Sequence, residues 1–314
     1  MNQKKFAFIF PGQGSQFIGM GRELGETYQV ANEIFQQADK LLGLPLSRIA
    51  WEGPEEELHE TINTQPALLT HSIASLRVLQ LRYPDIRPSF VAGHSMGQLS
   101  ALVACEAITF PDALKLVRRR GELMKNAGEL FPGGMAAIIG LDISIVENIC
   151  EKASTPDEIV QVANDNCPGQ VVISGTFPAI DRAMKLAIEA GAKLVKRLAV
   201  SIAAHSPLML QAQAGFNEAV LQTSLAKPVI PLVGNVSAKS LNSIEEIRTD
   251  LNAQLTHRVR WTDSILLMIQ DGINTFLEIG SGSVLAGLNK RIHRETITLS
   301  LGSPEDFEKI SSLL

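Results

Sequence analysis

Apolar residues in this chain of 314 gather into short unbroken runs that stop at glycine or proline, with longer stretches of three-and-four spacing between them. Phe6-Ala7-Phe8-Ile9-Phe10 ends at Pro11-Gly12, and polar Gln13-Gly14-Ser15-Gln16 then leads into a helical pattern, which predicts strand, loop, helix. A second unit is sharper. Pro88 bars the preceding helix, Phe90-Val91-Ala92 is apolar, Gly93 to Gly97 turns, and Leu99 to Cys105 is small and apolar. Between these units, Glu55 to Leu81 reads as helix with a break near Gln65-Pro66, since proline lacks the N–H that a helix interior needs. Thr275 to Ile279 followed by Gly280-Ser281-Gly282-Ser283 repeats the same grammar. Alternation of this kind predicts an α/β fold, a parallel sheet with helices on both faces.

The middle of the chain has a different order. Met135 to Leu141, Ile159 to Ala163, Gln170 to Ser174 and Lys193 to Val200 pattern as strands, and Ile143 to Lys152 and Pro178 to Ala190 as helices. The resulting β-α-β-β-α-β sequence is the ferredoxin-like arrangement. Phe131-Pro132-Gly133-Gly134 punctuates its start. The expected organisation is a discontinuous large α/β catalytic domain, residues 1–130 and 201–314, interrupted by a ferredoxin-like small domain, residues 131–200.

Charge narrows the partners. Twenty-eight Lys and Arg against 33 Asp and Glu leave a net −5, with no block of five like charges, so neither nucleic acid nor an anionic membrane is an expected partner. The longest apolar stretches fall far short of the roughly 20 residues that span a bilayer. Lys4 and Lys5 precede only five apolar residues, too few for a signal peptide, where about 7 to 15 are usual. Cys105, Cys150 and Cys167 are odd in number and lack paired spacing, which fits reduced thiols in the cytoplasm. The six histidines include no His-x3-His pair, so no metal is expected.

Candidate chemistry begins at Gly93-His94-Ser95-Met96-Gly97. It matches G-x-S-x-G in the strand-turn-helix setting where a strained turn exposes a serine oxygen. The competing reading is a packing turn with a serine cap. A nucleophilic serine needs a base, and His205 has the best setting because Ser206-Pro207 after it predicts a helix start, where a neutral imidazole is favoured. His94 is expected to shape the turn. His59, His71 and His293 read as packed or solvated, and His257 stays open as a second candidate base. On a helix predicted from Pro111 to Ala127, Arg120 falls on the apolar stripe of Leu116, Val117, Leu123, Met124 and Ala127, whereas Arg118 and Arg119 face solvent and Glu122. A buried guanidinium needs an anionic partner, either a protein carboxylate or one carried by a ligand; periodicity does not choose between them.

Phe10-Pro11-Gly12-Gln13-Gly14-Ser15-Gln16, Thr64-Gln65-Pro66-Ala67, the Ser95 turn, Arg120-Gly121, Pro168 to Gly175 and His205-Ser206-Pro207-Leu208-Met209 occur in that order. With them the whole chain resembles the malonyl-CoA:acyl carrier protein transacylase family of acyltransferases. The resemblance implies a hydrolase-like large domain with a ferredoxin-like insert, a monomer, and transfer of malonyl from malonyl-CoA to the phosphopantetheine thiol of acyl carrier protein for fatty acid synthesis, with no cofactor. It also implies Ser95 as the acylated nucleophile, His205 as its base, backbone N–H groups of Gln13 and Met96 as the oxyanion hole, Arg120 as the malonyl carboxylate partner, and the main chain of Gln254 orienting the histidine. Two departures stand out: Met96-Gly97-Gln98 where the family usually has Leu-Gly-Glu, and Ile279-Gly280-Ser281-Gly282 where it usually has Val-Gly-Pro-Gly. Two other readings compete. A serine hydrolase would want an acid between serine and histidine and a late histidine such as His293, and a catalytically silent subunit would only dock acyl carrier protein.

Overall fold

The computed structural model describes residues 5–313; Lys4, named above, lies outside them. Eleven strands occur among the described residues, in two sheets. In chain order they are β1 (Phe6–Phe10), β2 (Pro88–Gly93), β3 (Gly134–Ile139), β4 (Val160–Cys167), β5 (Gln170–Gly175), β6 (Leu194–Arg197), β7 (Leu232–Val233), β8 (Ser240–Leu241), β9 (Val259–Arg260), β10 (Thr275–Ile279) and β11 (Ile297–Leu301).

The first sheet has the order β11-β10-β1-β2-β7-β8 and is parallel except for the β7–β8 pair. β1 and β10 are buried at every residue, as a central strand covered on both faces must be. The three units with strand, loop, helix grammar are therefore neighbours. The loops after β1, β2 and β10 all leave from the carboxyl ends of adjacent parallel strands, where α/β sheets build their sites.

The second sheet has the order β6-β3-β5-β4-β9. β3 to β6 come with helices Ile143–Ala153 and Phe177–Glu189 in the order β-α-β-β-α-β, and their apolar faces form a cluster of their own around Ile138, Val146, Ile173 and Ile180. The last strand comes from elsewhere. β9 pairs in parallel with β4, Asn164 opposite Val259 and Asp165 opposite Arg260, so the sheet is completed by chain from beyond residue 200. An edge strand left open would expose unpaired backbone groups, and β9 covers that edge of β4.

The expected helix break at Pro66 is absent. Helix Thr61–Arg82 runs through Pro66, and the interruption lies earlier, between Glu55–His59 and Thr61. Pro66 has no N–H for the Ile62 carbonyl four residues back, but Arg118 Nη1 donates to that carbonyl at 3.0 Å and to Asn63 Oδ1 at 3.0 Å. Arg118 does bond Glu122, at 3.1 Å, yet it is not simply turned to solvent: it satisfies the acceptor that proline leaves open. Among the described residues no helix is long and apolar enough to cross a membrane.

Candidate active site

β2 ends at Gly93, and the chain reverses so tightly that helix Gly97–Ala104 starts four residues later. Ser95 sits at the apex with φ 52°, in the left-handed region that side chains other than glycine rarely adopt. The flanking glycines are required by space. A Cβ on Gly93 would come within 2.0 Å of the Gly97 carbonyl, and one on Gly97 within 2.4 Å of the Phe10 carbonyl oxygen. The end of β1 is locked against the same turn, since His94 N–H donates to Phe10 O at 3.0 Å. His94 is half-buried, hydrogen-bonds Asn166 Oδ1 at 2.9 Å and packs on Trp261.

His205, 110 residues away in sequence, brings Nε2 to 2.8 Å from Ser95 Oγ. Its Nδ1 lies 2.8 Å from the Gln254 carbonyl and 3.1 Å from that of His257. Carbonyls only accept, so Nδ1 carries the proton and Nε2 is left as the acceptor for the serine hydroxyl. Burial, and then the nearby Arg120 charge, push the imidazole down to about 3, so it is neutral at physiological pH. The expected helix start contributes less than the sequence suggests. Pro207–Met209 is only a 3-10 turn ahead of helix Leu210–Gln222, and Ser206 Oγ donates to Ala203 O at 2.7 Å instead of capping it. His257 reaches the site through its backbone; its ring bonds Thr256 and Ala253.

Arg120 projects from helix Phe110–Leu130 with 1% of its surface exposed. Its Nη1 donates to Gln65 Oε1 at 2.8 Å, its Nε and Nη2 to Gln254 Oε1 at 3.2 and 3.1 Å, and Nη2 also to Ser95 Oγ at 3.1 Å. Met124 Sδ lies 3.1 Å from Nη1. All of these partners are neutral. Burial alone lowers the guanidinium to about 9, which leaves it charged at neutral pH. A buried cation held by amides, a thioether and a hydroxyl lacks the counter-charge that such a group ordinarily requires.

Gln13, in the loop after β1, has its side-chain oxygen bonded by Thr61 Oγ1 at 3.0 Å. Among the described residues neither the Gln13 nor the Met96 N–H has an acceptor, so both donors of the expected pair are free. Ser281 Oγ, in the departing loop after β10, donates to Ser15 O at 2.6 Å and ties that loop to the same region. His293 ends helix Val284–Ile292, and among the described residues it makes no hydrogen bond to Ser95 or His205. Of the surface bases, Arg197 pairs with Asp181 and stacks on Phe177, and Arg291 bonds Gln170.

Sequence patterns do not reveal Asn235. Its Oδ1 accepts the Ser95 N–H at 2.7 Å and its Nδ2 donates to Gly93 O at 2.7 Å, so one side chain clamps both arms of the strained turn. Gln161 is a second such residue, donating to the carbonyls of His205 at 2.8 Å and Thr256 at 2.9 Å. Gln65, part of the Thr64-Gln65-Pro66-Ala67 match, is a direct partner of Arg120. Departing Gln98 is fully buried, with Nε2 2.9 Å from Asp250 Oδ2.

A hydroxyl activated by a neutral imidazole can take an acyl group, and an unpaired cation beside it favours acyl groups that bring their own negative charge. That combination on a parallel α/β sheet marks an acyltransferase. Residues 7–301 match the family model described as acyl transferase domain, and the chain belongs to that family. It is similar to the malonyl CoA-acyl carrier protein transacylase of Bacillus subtilis (strain 168), 44% identical over 304 residues, 97% of this chain and 95% of that one. Among solved structures, the malonyl CoA-acyl carrier protein transacylase of Coxiella burnetii superposes with a TM-score of 0.95 at 41% identity, covering 98% of this chain and 96% of that one. A malonyl-transacylase in complex with its type II PKS acyl-carrier protein also superposes at 0.95, with 39% identity over 99% of this chain and 100% of that one.

Proposed function

We propose that this chain transfers malonyl from malonyl-CoA to the phosphopantetheine thiol of acyl carrier protein, for fatty acid synthesis, in two steps through a malonyl ester on Ser95. The observation that carries the reading is the neutral setting of Arg120 beside Ser95 Oγ. A malonyl carboxylate is one methylene away from its thioester carbonyl, so a carboxylate held on Arg120 brings the carbonyl carbon to the hydroxyl 3.1 Å from the guanidinium.

In the first step Ser95 Oγ attacks the thioester carbon while His205 Nε2 takes its proton. The developing oxyanion meets the free N–H groups of Gln13 and Met96; removing one donor of this kind costs roughly 3 to 4 kcal/mol in other enzymes. Collapse of the adduct breaks the C–S bond, and His205 returns the proton to the CoA thiolate. In the second step His205 deprotonates the pantetheine thiol, the sulfur attacks the malonyl ester, and the proton goes back to Ser95 Oγ. The Gln254 and His257 carbonyls hold the imidazolium in place of a carboxylate, so the machinery is a dyad. On this reading residues 131–200 form the small domain against the large one, 1–130 and 201–314, and a cytoplasmic monomer without metal or cofactor suffices.

The hydrolase reading lacks its acid, since His205 Nδ1 faces two carbonyls, and lacks a use for Arg120. The silent-subunit reading leaves the strain at Ser95 without a purpose. A chase experiment tests the proposal. Enzyme loaded with radiolabelled malonyl-CoA and freed of CoA should pass its label to holo acyl carrier protein and not to water. Label released mainly as free malonate makes the chain a hydrolase, and no label on the enzyme makes it a docking subunit.

A further inference from the structure

Arg120 is aimed by two glutamine oxygens, and a primary amide presents either an oxygen or an NH2 in nearly the same space. Something must choose the oxygen at Gln254, and the choice traces back to Asp250. Its Oδ1 takes the Ser237 N–H at 3.0 Å and the Ser237 hydroxyl at 2.9 Å, and its Oδ2 takes the Asn235 N–H at 2.8 Å and Gln98 Nε2 at 2.9 Å. A carboxylate in this position only accepts, so Gln98 must turn its NH2 towards Asp250 and its Oε1 away. That Oε1 then accepts from Gln254 Nε2, which also donates to the Ser95 carbonyl at 3.2 Å. With its NH2 committed on that side, Gln254 has only its oxygen left for Arg120 Nε and Nη2. Asp250 is 4% exposed and both glutamines are fully buried, so bulk water does not satisfy a reversed amide.

We propose that Asp250 and Gln98 are positioning residues for the choice of acyl group: the carboxylate sets the polarity of two consecutive amides and so holds the Arg120 guanidinium in line with Ser95. A reversed Gln254 would set NH2 against guanidinium, donor against donor, and the cation would swing away from the serine. The inference rests on the malonyl-transfer reading.

The test measures kcat/KM for malonyl-CoA and for acetyl-CoA, whose acyl group has no carboxylate, with holo acyl carrier protein as acceptor. A merely structural defect lowers both alike, so their ratio is the readout. Gln98→Met keeps the bulk and removes the relay, and the malonyl preference should fall at least about tenfold. Gln98→Glu sets a second carboxylate against Asp250 and should also cost malonyl transfer at least about tenfold. An unchanged preference in Gln98→Met or in Gln98→Glu overturns the relay. Wild type assayed alongside separates the two claims: without malonyl transfer in the wild type the functional reading falls, whereas a wild-type preference retained in Gln98→Met overturns the relay alone.

Discussion

Arg120 Nη2 donates a 3.1 Å hydrogen bond to Ser95 Oγ, which places the one buried cation described at this site directly beside the atom that attacks. Recognition and reaction are thereby coupled over the length of a malonyl group. The same cation lowers the proton affinity of His205. A substrate carboxylate bound to Arg120 offsets that charge and makes His205 a stronger base at the moment the substrate is in place.

Arg120→Ala should cut malonyl transfer by the roughly 2 to 5 kcal/mol that accompanies loss of one partner of a desolvated charge pair, while acetyl transfer holds or rises. Arg120→Lys keeps the charge without the planar fork and should restore only part of the activity. Steady-state kcat/KM for both thioesters checks this, with a thermal melt as control. Equal losses on both substrates with a collapsed melt would make Arg120 a structural residue.

His205→Ala should lower transfer at least about 100-fold, the range for losing a general base. His257→Ala keeps the carbonyl that faces His205 Nδ1, so it should cost much less. Paired rate measurements decide; a larger loss in the His257 variant would move the base there.

Buried His71 gives a pH signature in stability. Its Nε2 bonds Gly302 O at 2.9 Å, and burial, dominating that hydrogen bond and Asp306, lowers the ring to about 4. A depressed imidazole contributes stability that is present above its unfolded value near 6.5 and is lost as pH falls towards 4, on the order of 3 kcal/mol over that window. Glu278 acts in the opposite sense. It lies on β10 with its carboxyl at the start of helix Val284–Ile292, and burial raises it to about 7 against the N–H bonds from Leu285 and Ala286, so its contribution is lost as pH rises through that value. Total stability therefore mixes the two. The difference between wild type and His71→Gln isolates the histidine, and in urea melts that variant should lose less stability than wild type between pH 6.5 and 4.5. A pH-independent difference would contradict the assignment.

The position of Ser95 was legible because its requirements are local: glycines at fixed offsets on a strand-to-helix turn. Arg120 was legible as a charge out of place on an apolar stripe, although its neutral surroundings were not, because Gln65 and Gln254 come from helices 55 and 134 residues away in sequence. Asn235 and Gln161 each act through one side-chain amide that makes two hydrogen bonds to distant segments, and an amide in a loop or strand carries no periodic signature. The continuity of the helix through Pro66 has no local signal for a related reason, since the donor that repairs it belongs to Arg118 on another helix. β9 is two residues long and has no pattern to show; only the open edge of β4 calls for it.

The most direct test of malonyl transfer through Ser95 is the intact mass of the enzyme after brief exposure to malonyl-CoA, followed by peptide mapping, for wild type and Ser95→Ala. The account predicts one malonyl group on the wild type, located at Ser95, and none on the variant at unchanged thermal stability. A malonyl group of equal occupancy on the Ser95→Ala protein, or one mapped to another residue of the wild type, would contradict it.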